Sequence, residues 1–158
     1  MPDRADTSDF AIIDGIVREL TNSGEFDEVR VLDDPAWLEQ ASSQILRAAT
    51  VALRSFDDAS ATDADDVTDE RTIQVAILIG VRTGDQESRA REASRLGNAV
   101  SNAINGNTFG LRHVTARKTR VRRGRFVHSP ASTVLMLESM CSYFAPESGR
   151  SQDYDEDE

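Results

Sequence analysis

Six basic residues stand within nine positions in the stretch RKTRVRRGR: Arg117, Lys118, Arg120, Arg122, Arg123 and Arg125. At this density they suit one of three roles: binding phosphates with steep salt dependence, covering a solvated strand face and its turn, or meeting an acidic protein surface. Phosphate binding has the least support. No aromatic residues are interleaved for base stacking, Phe126 being the nearest, and no helix is expected there to enter a major groove. The formal net charge of -10 also opposes approach to DNA. A complementary surface is available within the chain. The segment DDASATDADDVTDE carries Asp57, Asp58, Asp63, Asp65, Asp66, Asp69 and Glu70 and no basic residue. Contact between protein surfaces is therefore the favoured reading, ahead of a solvated face and of nucleic acid.

Other chemistry lacks its ligands. The two histidines, His113 and His128, are far apart and near no cysteine or aspartate at metal-ligand spacing, whereas zinc needs three or four clustered ligands. The acidic segment 57–70 has calcium-loop composition, but no aspartate start places Gly at position six and Glu at position twelve. It leaves room only for weak, non-specific cation binding. The loop GNTFG has neither the lysine nor the preceding strand of a phosphate loop. Cys141 is the single cysteine, which excludes an intramolecular disulfide, and its apolar neighbours predict an inert buried thiol. No spacing singles out an acid–base pair among 28 carboxylates. The expectation is a protein that is not an enzyme and uses no metal and no cofactor.

Charge is segregated along the chain. No acidic residue lies between Glu92 and Glu138, an interval with eight basic ones, so the remainder carries ten basic against 28 acidic residues. Two faces of opposite sign imply partners. Aspartate outnumbers glutamate 17 to 11, and 17 arginines accompany one lysine. Proteins of salt-loving organisms share this usage, and a GC-rich genome also favours arginine over lysine. No apolar run approaches the ~20 residues that span a bilayer, and the polar start MPDRADTSDF does not read as a signal peptide.

The elements that must position these residues form one domain over 8–145, flanked by polar segments 1–7 and 146–158 whose composition predicts disorder. SDFAIIDGIVREL places Phe10, Ile13, Val17 and Leu20 at helical spacing, widened by Ile12 and Ile16, with Ser8 or Asp9 as cap. A short strand, FDEVRVL, follows Gly24. DDPAWLEQASSQILRAA offers Asp34 as N-cap and Pro35 at the first helical position. Strands at 50–56 and 71–82 predict an antiparallel hairpin, and the second is apolar on both faces, so it should be central with both sides covered. Asp85 should cap a helix to about Ile104 that buries Ala93, Leu96, Val100 and Ile104, and NGNTFG should stop it. A strand from Leu111 to about Arg122 should place Arg112, Lys118, Arg120 and Arg122 on one face and Arg117 on the other. RRGR and His128–Pro130 read as turns before a last strand from Ser132 to Phe144. The fold class is α+β: a mostly antiparallel sheet with helices packed on one face.

The N-terminal helix and strand, the AATVALRSF strand joined through a loop to RTIQVAILIGVR, the alanine-rich long helix and the two-stranded end together resemble the tail terminator proteins of tailed bacterial and archaeal viruses. These are also called tail-completion or minor tail proteins. The resemblance covers residues 8–145 and is architectural, since the family has no catalytic motif. It implies a structural virion protein, a hexameric ring on the tail tube that ends tube polymerisation and presents a docking surface to the head. The implied partners are further copies of the chain, the tail tube protein and a head-neck connector. DNA passes through the ring without sequence-specific binding, and no membrane is involved. The implied location is the tail or neck of the virion, after assembly in the host cytoplasm. The alternatives are another neck component, such as a head-closure or connector protein, and a nucleic-acid-binding module using residues 112–125.

Overall fold

The computed structural model describes residues 9–31, 43–58, 69–112, 114 and 119–145. The elements are α1 (Asp9–Asn22), β1 (Glu28–Val31), β2 (Arg47–Asp58), β3 (Asp69–Val81), α2 (Gln86–Ile104), β4 (Arg120–His128) and β5 (Thr133–Ala145). The strands form one sheet in the order β1-β2-β3-β5-β4, parallel between β1 and β2 and antiparallel elsewhere. With both helices on one face, this is the expected α+β architecture.

Helix α1 turns Ile12, Ile13, Ile16 and Leu20 into the core and leaves Phe10, expected on that stripe, 61 % exposed. Phe10 falls in the first turn and faces away from the buried residues. Asp9 opens the helix and accepts a hydrogen bond from the Tyr143 hydroxyl at 2.7 Å. Ser8, the other candidate cap, lies outside the described residues. The chain leaves α1 through Gly24, whose φ of 74° is the left-handed conformation that glycine adopts without steric cost.

Helix α2 begins as expected: the Asp85 carboxylate accepts from the Ser88 backbone N–H at 2.8 Å. Its buried stripe of Ala93, Leu96, Val100 and Ile104 meets Ile77 and Ile79 of β3 and Leu135 and Leu137 of β5 in a single core. Full burial of one such aliphatic side chain stabilises the fold by roughly 1.5–3 kcal/mol. Arg89, 5 % exposed, fastens the start of α2 to the β4–β5 turn. Its guanidinium donates to the Gly84 carbonyl (2.8 Å), the Ser129 carbonyl (2.9 Å) and the Thr133 hydroxyl (3.1 Å).

Several expectations need correction. The helix starting at Asp34 and Pro35 falls mostly outside the described residues, and its expected end, Arg47–Ala49, is already β2. Ala48 and Ala49 are held there by pairing with both β1 and β3. β3 is central, but among the described elements only one of its faces is covered, because α1 and α2 lie on the same side. Ile73, Val75, Ile77 and Ile79 are buried, while Gln74, Ala76 and Leu78 on the other face are half-exposed. The penultimate strand runs over 120–128 rather than 111–122. Leu111 and Arg112 belong to a turn region after α2, so Arg112 shares no strand face with Arg120 and Arg122. RRGR is not a turn. It lies within β4, where the register shifts so that Gly124 and Arg125 together stand opposite Met136. The β4–β5 turn is at Ser129–Ser132, closed by the Ser129 N–H donating to the Ser132 carbonyl at 2.9 Å.

Candidate interaction surface

Strand alternation assigns β4 its two faces. Arg120 and Arg122, opposite Met140 and Glu138, stand on the face away from the helices, here termed the open face. Arg123 points the other way. Its guanidinium bonds the Ser94 hydroxyl (3.2 Å), the Ser94 carbonyl (3.1 Å) and the Asn98 side chain, all on α2. This is a correction to its expected place in the interface: Arg123 is tied into its own subunit. Arg122 carries a cross-strand ion pair with Glu138 at 2.7 Å. Both side chains are exposed enough that solvent screens the pair to at most ~1 kcal/mol. Arg125 is exposed in the bulge. Arg117 and Lys118 lie outside the described residues.

The acidic candidates occupy the far end of the β2–β3 hairpin. Asp57 and Asp58 pair with Thr72 and Arg71 at the end of β2, while Asp69 and Glu70 pair with Ala145 and Phe144 at the start of β3. Asp63, Asp65 and Asp66 lie outside the described residues. The described acidic positions and β4 are not brought together within one chain. Arg120 stands opposite Met140, whereas Asp69 stands opposite Ala145, about 17 Å further along β5 at 3.3 Å per residue.

The open face holds a groove that sequence reading did not assemble. Its volume is about 470 Å³, and its lining includes Arg54, Ala76, Leu78, Arg125, Met136 and Glu138. Ala76 and Leu78 of β3 and Met136 of β5 make an apolar floor. Each flank has a bulge. On β2 the register shifts between Leu53 and Ser55, leaving Arg54 as the extra residue, and on β4 it shifts at Gly124–Arg125. Bulges re-aim side chains, and here both supply an arginine to the rim. The cross-strand pair Arg122–Glu138 completes one wall. A Cβ on Gly124 would come within 2.8 Å of the Met136 carbonyl oxygen, so the close approach of β4 to β5 at the bulge requires glycine. The signals for this groove are the even-numbered apolar residues of β3 and β5 and the lone arginine in the apolar run TVALRSF.

The remaining chemically capable groups have structural roles. His128 stacks on Phe126, with ring centroids 5.8 Å apart, and its Nδ1 lies 3.0 Å from the Thr133 hydroxyl. His113 lies outside the described residues. The Cys141 thiol is buried, which pushes its pKa up to about 11 and keeps it protonated. Tyr143 is pushed up to about 12, first by burial and then by its hydrogen bond to Asp9. Glu92 is drawn down to about 2, chiefly by hydrogen bonds from Arg95, against some opposing desolvation, and further by Arg47. Arg95 also reaches Glu25 at 3.0 Å, so the network joins α2 to β2 and to the α1–β1 connection. No group of three or more metal-ligating side chains occurs among the described residues, and none of their helices is long and apolar enough to cross a membrane. The arrangement sets an apolar floor beside arginine side chains and one carboxylate. The chain matches no protein-family model and no curated protein.

Proposed function

We propose that the protein is a structural subunit of a virion, forming a closed ring that caps the tail tube, ends its polymerisation and offers the head a docking surface. The observation that carries this reading is the edge strand β4. Eight of its nine residues are exposed, and it lines an acidic molecule's sheet edge with arginines. No other described strand lies beyond β4, and although Asn105 takes the Val121 N–H at 2.7 Å, a sheet edge of this kind can offer backbone groups to another chain. Two copies of this edge repel each other, so the like-with-like pairing of a two-fold dimer is disfavoured and an acidic counter-surface is selected. Contacts between unlike patches of identical subunits build rings when the rotation closes. The hairpin end carrying Asp57, Asp58, Asp69 and Glu70 is our first candidate for that counter-surface. The α+β architecture is compatible with a ring-forming subunit, and the resemblance over residues 8–145 implies the six-fold number.

The test is assembly state. Native mass spectrometry and negative-stain microscopy of the purified protein should show closed oligomers without nucleic acid. Arg120→Glu with Arg122→Glu should yield a folded monomer, and an Asp-to-Arg change at Asp57 or Asp58 should restore assembly. Normal rings from the reversed variant, with only DNA affinity lost, would instead establish a nucleic-acid-binding module.

A further inference from the structure

Asn105 and Gly106 form the chain's one Asn–Gly pair. They close α2, with Asn105 as its C-cap, and both are exposed. This dipeptide has a chemistry of its own. The backbone nitrogen of the second residue attacks the asparagine side-chain amide, and glycine leaves that nitrogen with no Cβ beside it. Gly106, at φ 75°, has open space where a Cβ would stand, so water reaches it as well. The chain's Asp–Gly pair, Asp14–Gly15, is the poorer candidate, because Gly15 is buried within α1 and the helix fixes its amide.

Two hydrogen bonds tie Asn105 and Gly106 to the start of β4. The Asn105 side-chain oxygen accepts from the Val121 N–H at 2.7 Å, and the Gly106 N–H donates to the Thr119 carbonyl at 2.9 Å. Ring closure needs the Asn105 amide carbon and the Gly106 nitrogen to turn onto each other, whereas these bonds hold both groups toward β4. We propose that Asn105 is a deamidation site guarded by β4, modified when the start of that strand lifts from the end of α2. The reaction needs only water. The Gly106 nitrogen gives its proton to solvent and bonds the Asn105 Cγ, the Cγ–Nδ2 bond breaks, and the leaving nitrogen takes up a proton to depart as ammonia. The resulting five-membered succinimide adds one water at either carbonyl. Opening at Cγ leaves aspartate, and opening at the main-chain carbonyl leaves isoaspartate, whose backbone runs through Cβ. Aspartate sets a negative charge at the C-terminal end of α2, which the helix dipole opposes. Isoaspartate lengthens the main chain and carries Gly106 away from the Thr119 carbonyl. Either product loosens the clamp, so a passing opening of the edge strand is recorded as a permanent change. The site does not depend on how subunits join.

Peptide mapping of the full-length chain after incubation at mildly alkaline pH tests this. Trypsin releases Leu96–Arg112, in which conversion shows as the mass of an amide exchanged for a carboxylate. Asn105 should convert in the folded protein, but at least about tenfold more slowly than in a synthetic peptide of residues 96–112, the margin set by local opening. That factor should match the protection of the Gly106 amide against hydrogen exchange, because both report the same opening. Val121→Pro deletes the donor to Asn105 and keeps the bonds of β4 to β5, since this N–H points away from β5. It should bring the rate toward that of the peptide. Asn105→Gln, which must close a larger ring, should abolish conversion here. No conversion in the folded protein while the peptide converts fully overturns the proposal. A mass shift that persists in Asn105→Gln assigns it to another residue and overturns the site. Equal rates in protein and peptide, or a rate indifferent to Val121→Pro in the folded variant, overturn the guarding role of β4. If Val121→Pro does not fold, a mismatch of more than about tenfold between slowing and exchange protection decides the same point.

Discussion

Thr50 occupies the open face of β2 at 4 % exposure, and its hydroxyl has no hydrogen-bond partner. An unpaired buried hydroxyl keeps its desolvation penalty, so Thr50→Val, which retains the branched shape, should raise stability by about 1 kcal/mol in urea unfolding. Glu92 responds to pH in the opposite sense to Tyr143. The folded pKa of Glu92, about 2, lies below its ordinary 4.5, so its contribution is complete above pH 4.5 and disappears as pH falls toward 2. Asp27 shifts in the same direction, held by the backbone N–H groups of Arg47 and Leu46. The melting temperature should therefore fall below pH 4.5, and Glu92→Gln should flatten that acid limb. Tyr143 is raised to about 12 from 10, so stability should decline between those two values as only the unfolded chain ionises. Tyr143→Phe should remove that alkaline decline, as followed by circular dichroism.

At the scale of elements, the β4 bulge is the sharpest constraint. Gly124→Ala places a Cβ against a β5 carbonyl that the sheet holds fixed. The expected cost is about 1–3 kcal/mol, as for other overpacked sites, with hydrogen exchange increased first along β4. Helices α1 and α2 were legible because their apolar residues recur at helical spacing and Asp85 is a strong cap. β3 was legible because nine apolar-dominated residues lead from Ile73 to Val81. Which face the helices would cover was not legible, since β3 alternates one apolar set with another. Phe10 was misplaced because helical periodicity alone does not show with which turn the buried stripe begins. β4 was misplaced because its arginines, bulge and glycine resemble a turn, while its pairing with β5 is a tertiary fact. The groove escaped for the same reason: Arg54 and Arg125 come from different strands and line one groove only through two register shifts. Arg123 was grouped with its neighbours by composition, and only the position of Ser94 and Asn98 on α2 separates it from them.

For the whole molecule, charge separation should make the formation of the proposed ring and its persistence respond differently to salt. The Debye length shrinks to about 3 Å in ~1 M salt, so steering between distant patches is lost while direct arginine–carboxylate forks survive. Assembly followed by light scattering should slow markedly between 0.1 and ~1 M NaCl, whereas finished oligomers should remain intact in analytical ultracentrifugation. Dissolution of the oligomers at high salt would show that no direct forks hold them. The strand order also governs when this protein comes into being. β5 is inserted between β3 and β4, and it pairs Ile77 with Leu137, about 60 residues away. An interior position of the sheet, beside the central β3, is thus filled by the last of the described strands in the chain. Before Ala145 emerges, the apolar stripes of α1 and α2 and the inner face of β3 lack much of their common partner surface. Cooperative protection in ribosome-bound fragments should therefore begin only once β5 has cleared the exit tunnel.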